Sequence, residues 1–207
     1  MFITIEGIEG SGKTTQIGYI VDFLTRSGQE CVVTREPGGT VIGEKIRSIL
    51  LDSRNSAMDA VAELLLYTAD RVQHVAEIIR PALALGKTVV CDRYFDATVV
   101  YQGYARGLDV GFIFELHRMA LNDLKPDLTF LLDLSPEKGL KRAWQAIQAG
   151  ERVGGETRFE EENLSFHERV REGYLALAAA EPGRIRIIDG SRDEETVRSN
   201  IIKVLSR

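Results

Sequence analysis

The sequence predicts an α/β protein in which one five-stranded parallel sheet carries helices on both faces, and three observations lead there. Short, near-continuous apolar runs recur along the chain, as expected of strands buried on both sides. They alternate with longer segments whose apolar residues have helical spacing. The first run, Phe2–Glu6, passes directly into the glycine-rich stretch Gly7-Ile8-Glu9-Gly10-Ser11-Gly12-Lys13-Thr14. With 207 residues, 44% of them hydrophobic and 28% charged, the chain reads as a single domain, 1–207, of ordinary globular composition.

Strands are expected at Phe2–Glu6, Cys31–Thr34, Thr88–Cys91, Leu128–Leu134 and Ile185–Ile188. Ligands of such sheets bind beyond the carboxyl ends of the strands, so each segment that follows a strand is a candidate. The first of these fits the pattern G-x-x-x-x-G-K-[ST]. Gly7, Gly10 and Gly12 allow backbone N–H groups to turn inward around a phosphate. Lys13 would neutralise β/γ oxygens, and Thr14 would set a hydroxyl near Mg²⁺. The helix that opens there carries Ile17, Ile20, Val21 and Leu24 on one face before Gly28 stops it, and its N-terminus adds partial positive charge.

Thr34-Arg35-Glu36-Pro37-Gly38-Gly39-Thr40 follows the second strand as a turn-rich loop, and a plain connection is its other reading. Val41 to Leu51 puts Ile42, Ile46, Ile49 and Leu50 on one face and leaves Arg47 available to a cleft. Met58 to Leu85 is helical by pattern, with Pro81 kinking or restarting it. Tyr67 and Arg71 share a face there, suited either to stacking on a base and bonding its carbonyl or to core plus surface packing. Asp92-Arg93-Tyr94 ends the third strand in a charged pair: a structural ion pair, or a carboxylate that holds Mg²⁺ through water beside an arginine facing a transferring phosphate. Thr98, Tyr101 and Gln102 then offer a hydroxyl, a ring and an amide suited to a base edge and a sugar.

Asp109 caps a helix to Asn122 whose stripe of Phe112, Leu116, Met119 and Ala120 reads equally as core or as a dimer face. After the fourth strand a helix carries Lys141 and Arg142, and the glycine-punctuated, arginine-bearing stretch at about 148–158 reads as a movable lid or a solvated loop. The turn Asp189-Gly190-Ser191 lies where its backbone could touch an adenine. His74, His117 and His167 have no metal-ligand company and read as structural, and Cys31 and Cys91 as small apolar fillers.

Net charge is −5 with no basic stripe, which argues against a polymeric nucleic acid as partner. No run approaches the about 18 apolar residues of a membrane span, and the amino-terminal strand does not resemble a secretion signal, so the expected location is the cytoplasm with no membrane partner.

Taken together and in order, Gly7–Thr15, Arg35-Glu36-Pro37-Gly38-Gly39-Thr40, Tyr67-x-x-x-Arg71, Asp92-Arg93-Tyr94, Tyr101-Gln102-Gly103 and Arg158-Phe159-Glu160 resemble the bacterial thymidylate kinases from Phe2 to the final helix. The resemblance implies a P-loop nucleoside monophosphate kinase fold with an arginine-bearing lid, usually homodimeric, and the reaction ATP + dTMP → ADP + dTDP with Mg²⁺, a step towards dTTP. The donor would lie on Gly7, Ile8, Glu9, Gly10, Ser11, Gly12, Lys13, Thr14 and Thr15 with Arg142. The acceptor would meet Glu36, Pro37, Arg47, Tyr67, Arg71, Arg93, Thr98, Tyr101 and Gln102. Tyr67 would stack on thymine where a phenylalanine is commoner, Arg71 would bond its carbonyl, and Tyr101 would crowd the 2′ position. Catalysis would fall to Lys13, Arg93 and Glu9 with Arg152 and Arg158 from the lid, and the metal to Thr14 and Asp92. Ala97 replaces a common serine, and Gly10 stands where eukaryotic-type relatives have an arginine, which leaves that charge to the lid. Rival readings are another nucleoside or nucleotide kinase and a non-catalytic ATP sensor; a switch GTPase lacks its N-K-x-D pattern here.

Overall fold

The computed structural model describes residues 1–150 and 156–206. Strands β1 (Phe2–Glu6), β2 (Cys31–Arg35), β3 (Thr88–Asp92), β4 (Leu128–Asp133) and β5 (Ile185–Asp189) form one parallel sheet in the order β2-β3-β1-β4-β5. The helices are α1 (Lys13–Arg26), α2 (Val41–Leu51), α3 (Ala60–His74), α4 (Arg80–Ala84), α5 (Phe95–Thr98), α6 (Val110–Leu121), α7 (Pro136–Gln148), α8 (Leu164–Ala180) and α9 (Glu194–Leu205). Among the described residues, no helix is long and apolar enough to cross a membrane.

The strand period of two divides the core. Ile3, Ile5, Val90, Phe130, Leu132 and Ile188 face α1 and α9, where they meet Ile20, Leu24, Val197 and Ile201. Phe2, Val89, Cys91, Leu131 and Ile185 face the other layer, against Leu64, Ile79, Ile113, Val170 and Tyr174. The register Ile3↔Val90 and Ile3↔Leu128 puts β1 at the centre, so the loop after β1 stands between those after β3 and β4. Strand β2 lies at the sheet edge and is only partly buried, with Val33 53% exposed.

Capping side chains set the starts of several helices. Thr40, Asp59, Asp109, Asn163 and Asp193 each accept from a backbone N–H in the first turn of α2, α3, α6, α8 and α9. Helix α1 differs: Gly12, at φ 95°, precedes it without a side-chain cap, leaving N–H groups open at the sheet's carboxyl edge.

Two expectations change in detail, and one segment is added. The Met58 to Leu85 helix runs as α3, then a π-helical turn over Val75–Ile79, then α4. Pro81 cannot donate, and its ring crowds the carbonyl four residues back, so the ladder widens before it and the Arg80 N–H bonds Val75 O. A second π-helical segment, Val99–Ala105, continues α5 and presents Tyr101 and Gln102. The α6 stripe is mostly outside the core: Phe112 is 49% and Met119 70% exposed and Leu116 packs against the core only in part, while Ile113, His117 and Leu121 face inward. His117 belongs inside because its ring stacks on Phe95 at 3.7 Å and Nε2 bonds Leu124 O at 3.0 Å.

Candidate active site

A cleft of about 670 Å³ runs along the carboxyl edge of the sheet, from Gly12 and Lys13 at one end to Tyr67 and Arg71 at the other. At the first end the loop folds tightly. Gly10, at φ 68°, packs so closely on α7 that a Cβ there would stand 2.1 Å from Gly139 O. Gly139 in turn leaves no room for a Cβ, which would lie 2.5 Å from Glu9 O. No side chain fits at Gly10 in this arrangement.

Lys13 Nζ donates to Gly7 O at 3.1 Å and Ile8 O at 3.0 Å, so the ammonium is folded back over the loop. Burial, with Arg93 close by, pushes its pKa down to about 8. Gly7 and Ile8 act here through these carbonyls, while Glu9, Ser11, Thr14 and Thr15 line the cleft. Arg142 also lines it and donates to Gly190 O at 3.3 Å, bringing the turn after β5 beside the loop.

In the middle stands Arg93, held in the left-handed region at φ 65°. Its Nη2 donates to Glu9 Oε1 at 2.9 Å, and its Nη1 to the hydroxyls of Tyr101 at 3.0 Å and Tyr174 at 3.3 Å. Tyr101 also donates to Glu9 Oε1 at 2.6 Å. Burial opposes ionisation of Glu9, but the Arg93 guanidinium and the neighbouring His167 and Lys13 outweigh it and hold the carboxyl well below the usual range. Asp92 lines the cleft with Oδ1 buried and without a hydrogen-bond partner among the described residues.

At the far end Arg71 is buried, donating from Nε to Glu36 Oε2 at 2.7 Å and from Nη2 to Thr98 Oγ1 at 2.8 Å. Tyr67 lies one helical turn away on the cleft wall, its phenol kept neutral by burial. Pro37 lines the same wall, and its carbonyl accepts from Arg47 at 3.1 Å. Arg47 is also paired with Glu156 at 2.7 Å, which ties α2 to the last residues of the 148–158 stretch. Gln102 reaches the cleft while donating to Glu63 Oε1 at 2.8 Å.

Of the two arginines expected on the lid, only Arg158 is among the described residues, and it is placed differently from the rest. Arg158 is 5% exposed and does not line the cleft. Its Nη2 pairs with the fully buried Glu63 at 2.5 Å and its Nη1 donates to Leu50 O at 3.1 Å, and desolvated charge must find partners of this kind. Arg152 lies outside the described residues.

The sequence reading passed over Glu6 and Tyr174, which support Arg93 and Glu9, and gave the neighbouring His167 only a structural part. Tyr174 donates to Glu6 Oε2 at 2.7 Å, while Glu6 Oε1 accepts from Tyr94 N at 2.8 Å. Burial and the nearby Asp96 push Glu6 up to about 8. His167 Nδ1 stands 3.4 Å from Glu9 Oε2, too poorly aligned for a hydrogen bond. The available signals were a carboxylate ending a buried strand and the seven-residue spacing of His167 and Tyr174 along α8.

A glycine loop with its lysine at a helix N-terminus, on the central strand of a parallel sheet and facing an arginine-lined pocket, defines a P-loop kinase of the class that phosphorylates small nucleotides. The sequence comparisons narrow the class. The family model for thymidylate kinase matches residues 5–201. The thymidylate kinase of Desulfosudis oleivorans is 58% identical over 207 residues, spanning 100% of this chain and 97% of that protein. That of Geotalea uraniireducens is 54% identical, with 100% of this chain and 97% of the relative covered. A crystal structure of thymidylate kinase from Ehrlichia chaffeensis superposes with a TM-score of 0.78 at 35% identity, over 99% of this chain and 98% of the other. The chain belongs to the thymidylate kinase family.

Proposed function

We propose that this chain, acting as one domain, transfers the γ-phosphoryl group of ATP to dTMP, giving ADP and dTDP. The supporting observation is a single continuous cleft with an open, lysine-bearing helix N-terminus at one end, a buried base-reading arginine at the other, and Arg93 fixed between them. A phosphate monoester has a second pKa of about 6, so its oxygen is already nucleophilic near neutral pH and needs no strong base. The barrier lies in aligning two polyanions, and this chain's cations do that.

In this reading the loop N–H groups and Lys13 hold the β/γ-phosphates, Arg142 flanks the adenosine side, and Arg93, set by Glu9 and Tyr101, faces the acceptor phosphate. Tyr67 stacks on the base, Arg71 bonds its carbonyl, Thr98 and Gln102 supply polar edges, and Tyr101 crowds the 2′ position. Glu36 is placed in support of Arg71. Arg47 and Arg158, once their present partners are exchanged, are further cations for the phosphates, and the sequence offers Arg152 of the lid as another.

The residues fit Mg²⁺. Asp92 Oδ1 is buried, unpartnered and beside the loop, and the exposed Thr14 lines the same wall. Among the described residues no cluster of three or more His, Cys, Asp or Glu forms a protein cage, as suits an ion held largely by phosphate and water. Thr14 and Asp92 would hold it, and when bound it would neutralise charge on the transferring phosphates.

A coupled ADP-release assay over dTMP, dUMP, UMP, AMP and thymidine tests the reading: dTMP should be fastest and thymidine inert. Unconverted dTMP in the presence of MgATP would overturn it. Arg71→Ala should raise KM for dTMP by at least about tenfold, the scale of losing hydrogen bonds to a charged group, with KM for ATP little changed. Equal effects on both substrates would remove Arg71 from the base.

The exposed apolar residues Ile42 and Ile49 on α2, Val61, Leu65 and Val72 on α3, and Phe112 and Met119 on α6 lie on adjacent helices. A second copy of the chain is their fitting partner, and sedimentation should return twice the 23.0 kDa of one chain. The setting is the cytoplasm.

A further inference from the structure

Beneath the base-binding end, a line of hydrogen bonds runs from the sheet edge to Arg71. Thr34 Oγ1, near the end of β2, lies 2.6 Å from His74 Nε2. His74 is fully buried, and its Nδ1 lies 2.9 Å from Glu36 Oε1. Glu36 Oε2 accepts from Arg71 Nε at 2.7 Å, and Arg71 Nη2 donates to Thr98 Oγ1 at 2.8 Å and to Tyr94 O at 3.3 Å. Both oxygens of Glu36 are therefore engaged within the protein, and it meets a substrate only through Arg71. Arg71 Nη1 has no hydrogen-bond partner among the described residues.

A carboxylate accepts, so Nδ1 carries the hydrogen towards Glu36, while Nε2 and the Thr34 hydroxyl share one hydrogen bond on the far side of the ring. The ring cannot swing away, because the Arg35–Thr40 loop lies against it. A Cβ on Gly39, at φ 82°, would stand 3.1 Å from His74 Cδ2 and 2.7 Å from Thr34 Oγ1. Asp70, one turn before His74 on α3, fastens the same loop by accepting from Gly38 N at 3.0 Å.

We infer that His74 is a positioning residue for recognition of the acceptor base: it fixes one oxygen of Glu36 so that the other holds Arg71 side-on through Nε, leaving Nη1 for a base carbonyl. The inference rests on the kinase reading above. Without the imidazole, Glu36 Oε1 would be a buried, unpaired carboxylate oxygen. Its nearest remedy is to turn onto Arg71 as a bidentate pair, which draws the guanidinium off the base.

Steady-state kinetics and thermal melting on wild type, His74→Leu, His74→Asn and Thr34→Val test this. His74→Leu fills much of the ring's space and removes the donor; KM for dTMP should rise at least about tenfold, with KM for ATP within about twofold of wild type. Asparagine carries an N–H near the position of Nδ1 and should bring KM for dTMP back to within about threefold. Thr34→Val, at a half-buried position, should move KM for dTMP in the same direction by about two- to threefold and carries the test should the leucine variant not fold. A purely structural role would lower melting temperature and active fraction while leaving KM for dTMP unchanged, and that result, or parallel changes in both KM values, would overturn the inference. Wild-type protein that left dTMP unconverted would overturn the kinase reading and this inference with it, whereas active wild type with unmoved variants would remove the inference alone.

Discussion

Replacing Lys13 with alanine is expected to lower kcat by at least about a hundredfold at saturating ATP and dTMP, the range seen when one preorganised charge stabiliser is removed. The two carbonyls that accept from Nζ, Gly7 O and Ile8 O, hold the ammonium over the loop in advance of the nucleotide. Little reorganisation remains when charge moves onto the transferring phosphoryl group. In the alanine variant those two oxygens would face the incoming anion with nothing between. Near-normal turnover would take Lys13 out of the chemistry.

The same geometry has a pH signature. The pKa of Lys13 in the free protein is depressed to about 8 by burial and by Arg93. A bound triphosphate favours the charged ammonium and so raises that pKa. At about pH 8 roughly half the lysines start unprotonated, and nucleotide binding should take up protons; near about pH 6.5 the residue is already charged and should contribute none. Titration calorimetry in two buffers of different ionisation enthalpy reads the uptake directly. Lys13→Ala should abolish the pH 8 component, and an unchanged uptake in that variant would assign it to another group.

The loop, the strands and most cleft residues were legible because they obey local rules. A strand buried on both faces is a short apolar run, and a phosphate loop needs glycine where backbone must approach closely, as Gly10 does against Gly139. What was not legible arises from pairings distant in sequence. Nothing near Glu36 announces that Arg71 and His74, 35 and 38 residues away, take both its oxygens. Nothing near Arg158 announces Glu63, whose carboxylate also accepts from Gln102 and Arg106. The α6 stripe was ambiguous for another reason: hydrophobicity marks two faces there, and the inward one is chosen by fit, with His117 against Phe95, rather than by polarity. The π-helical turns escape a pattern search because each adjoins a helical segment of only four or five residues, too short to display a shifted side-chain phase.

Arg93→Ala should reduce kcat by about a thousandfold, within the range for an arginine that stabilises charge on a transferring phosphoryl group. This side chain reaches the cleft because its backbone is turned out of the strand: after β3 the Arg93 N–H still bonds Ile5 O at 3.0 Å, yet φ is 65°. A non-glycine residue there costs on the order of 1–2 kcal/mol and persists only where its surroundings hold it. They do so from both sides, through Glu6 Oε1 on the Tyr94 N–H and through Glu9, Tyr101 and Tyr174 on the guanidinium. Lysine keeps the charge but cannot meet three acceptors in one plane, so Arg93→Lys should recover no more than about tenfold of the loss. Arg93→Gly separates backbone from side chain. Glycine adopts this φ freely and should melt no lower than the alanine variant, yet its turnover should be equally poor. Single-turnover measurements on the three variants decide the point, since a glycine variant with near wild-type chemistry would mean that the guanidinium is dispensable.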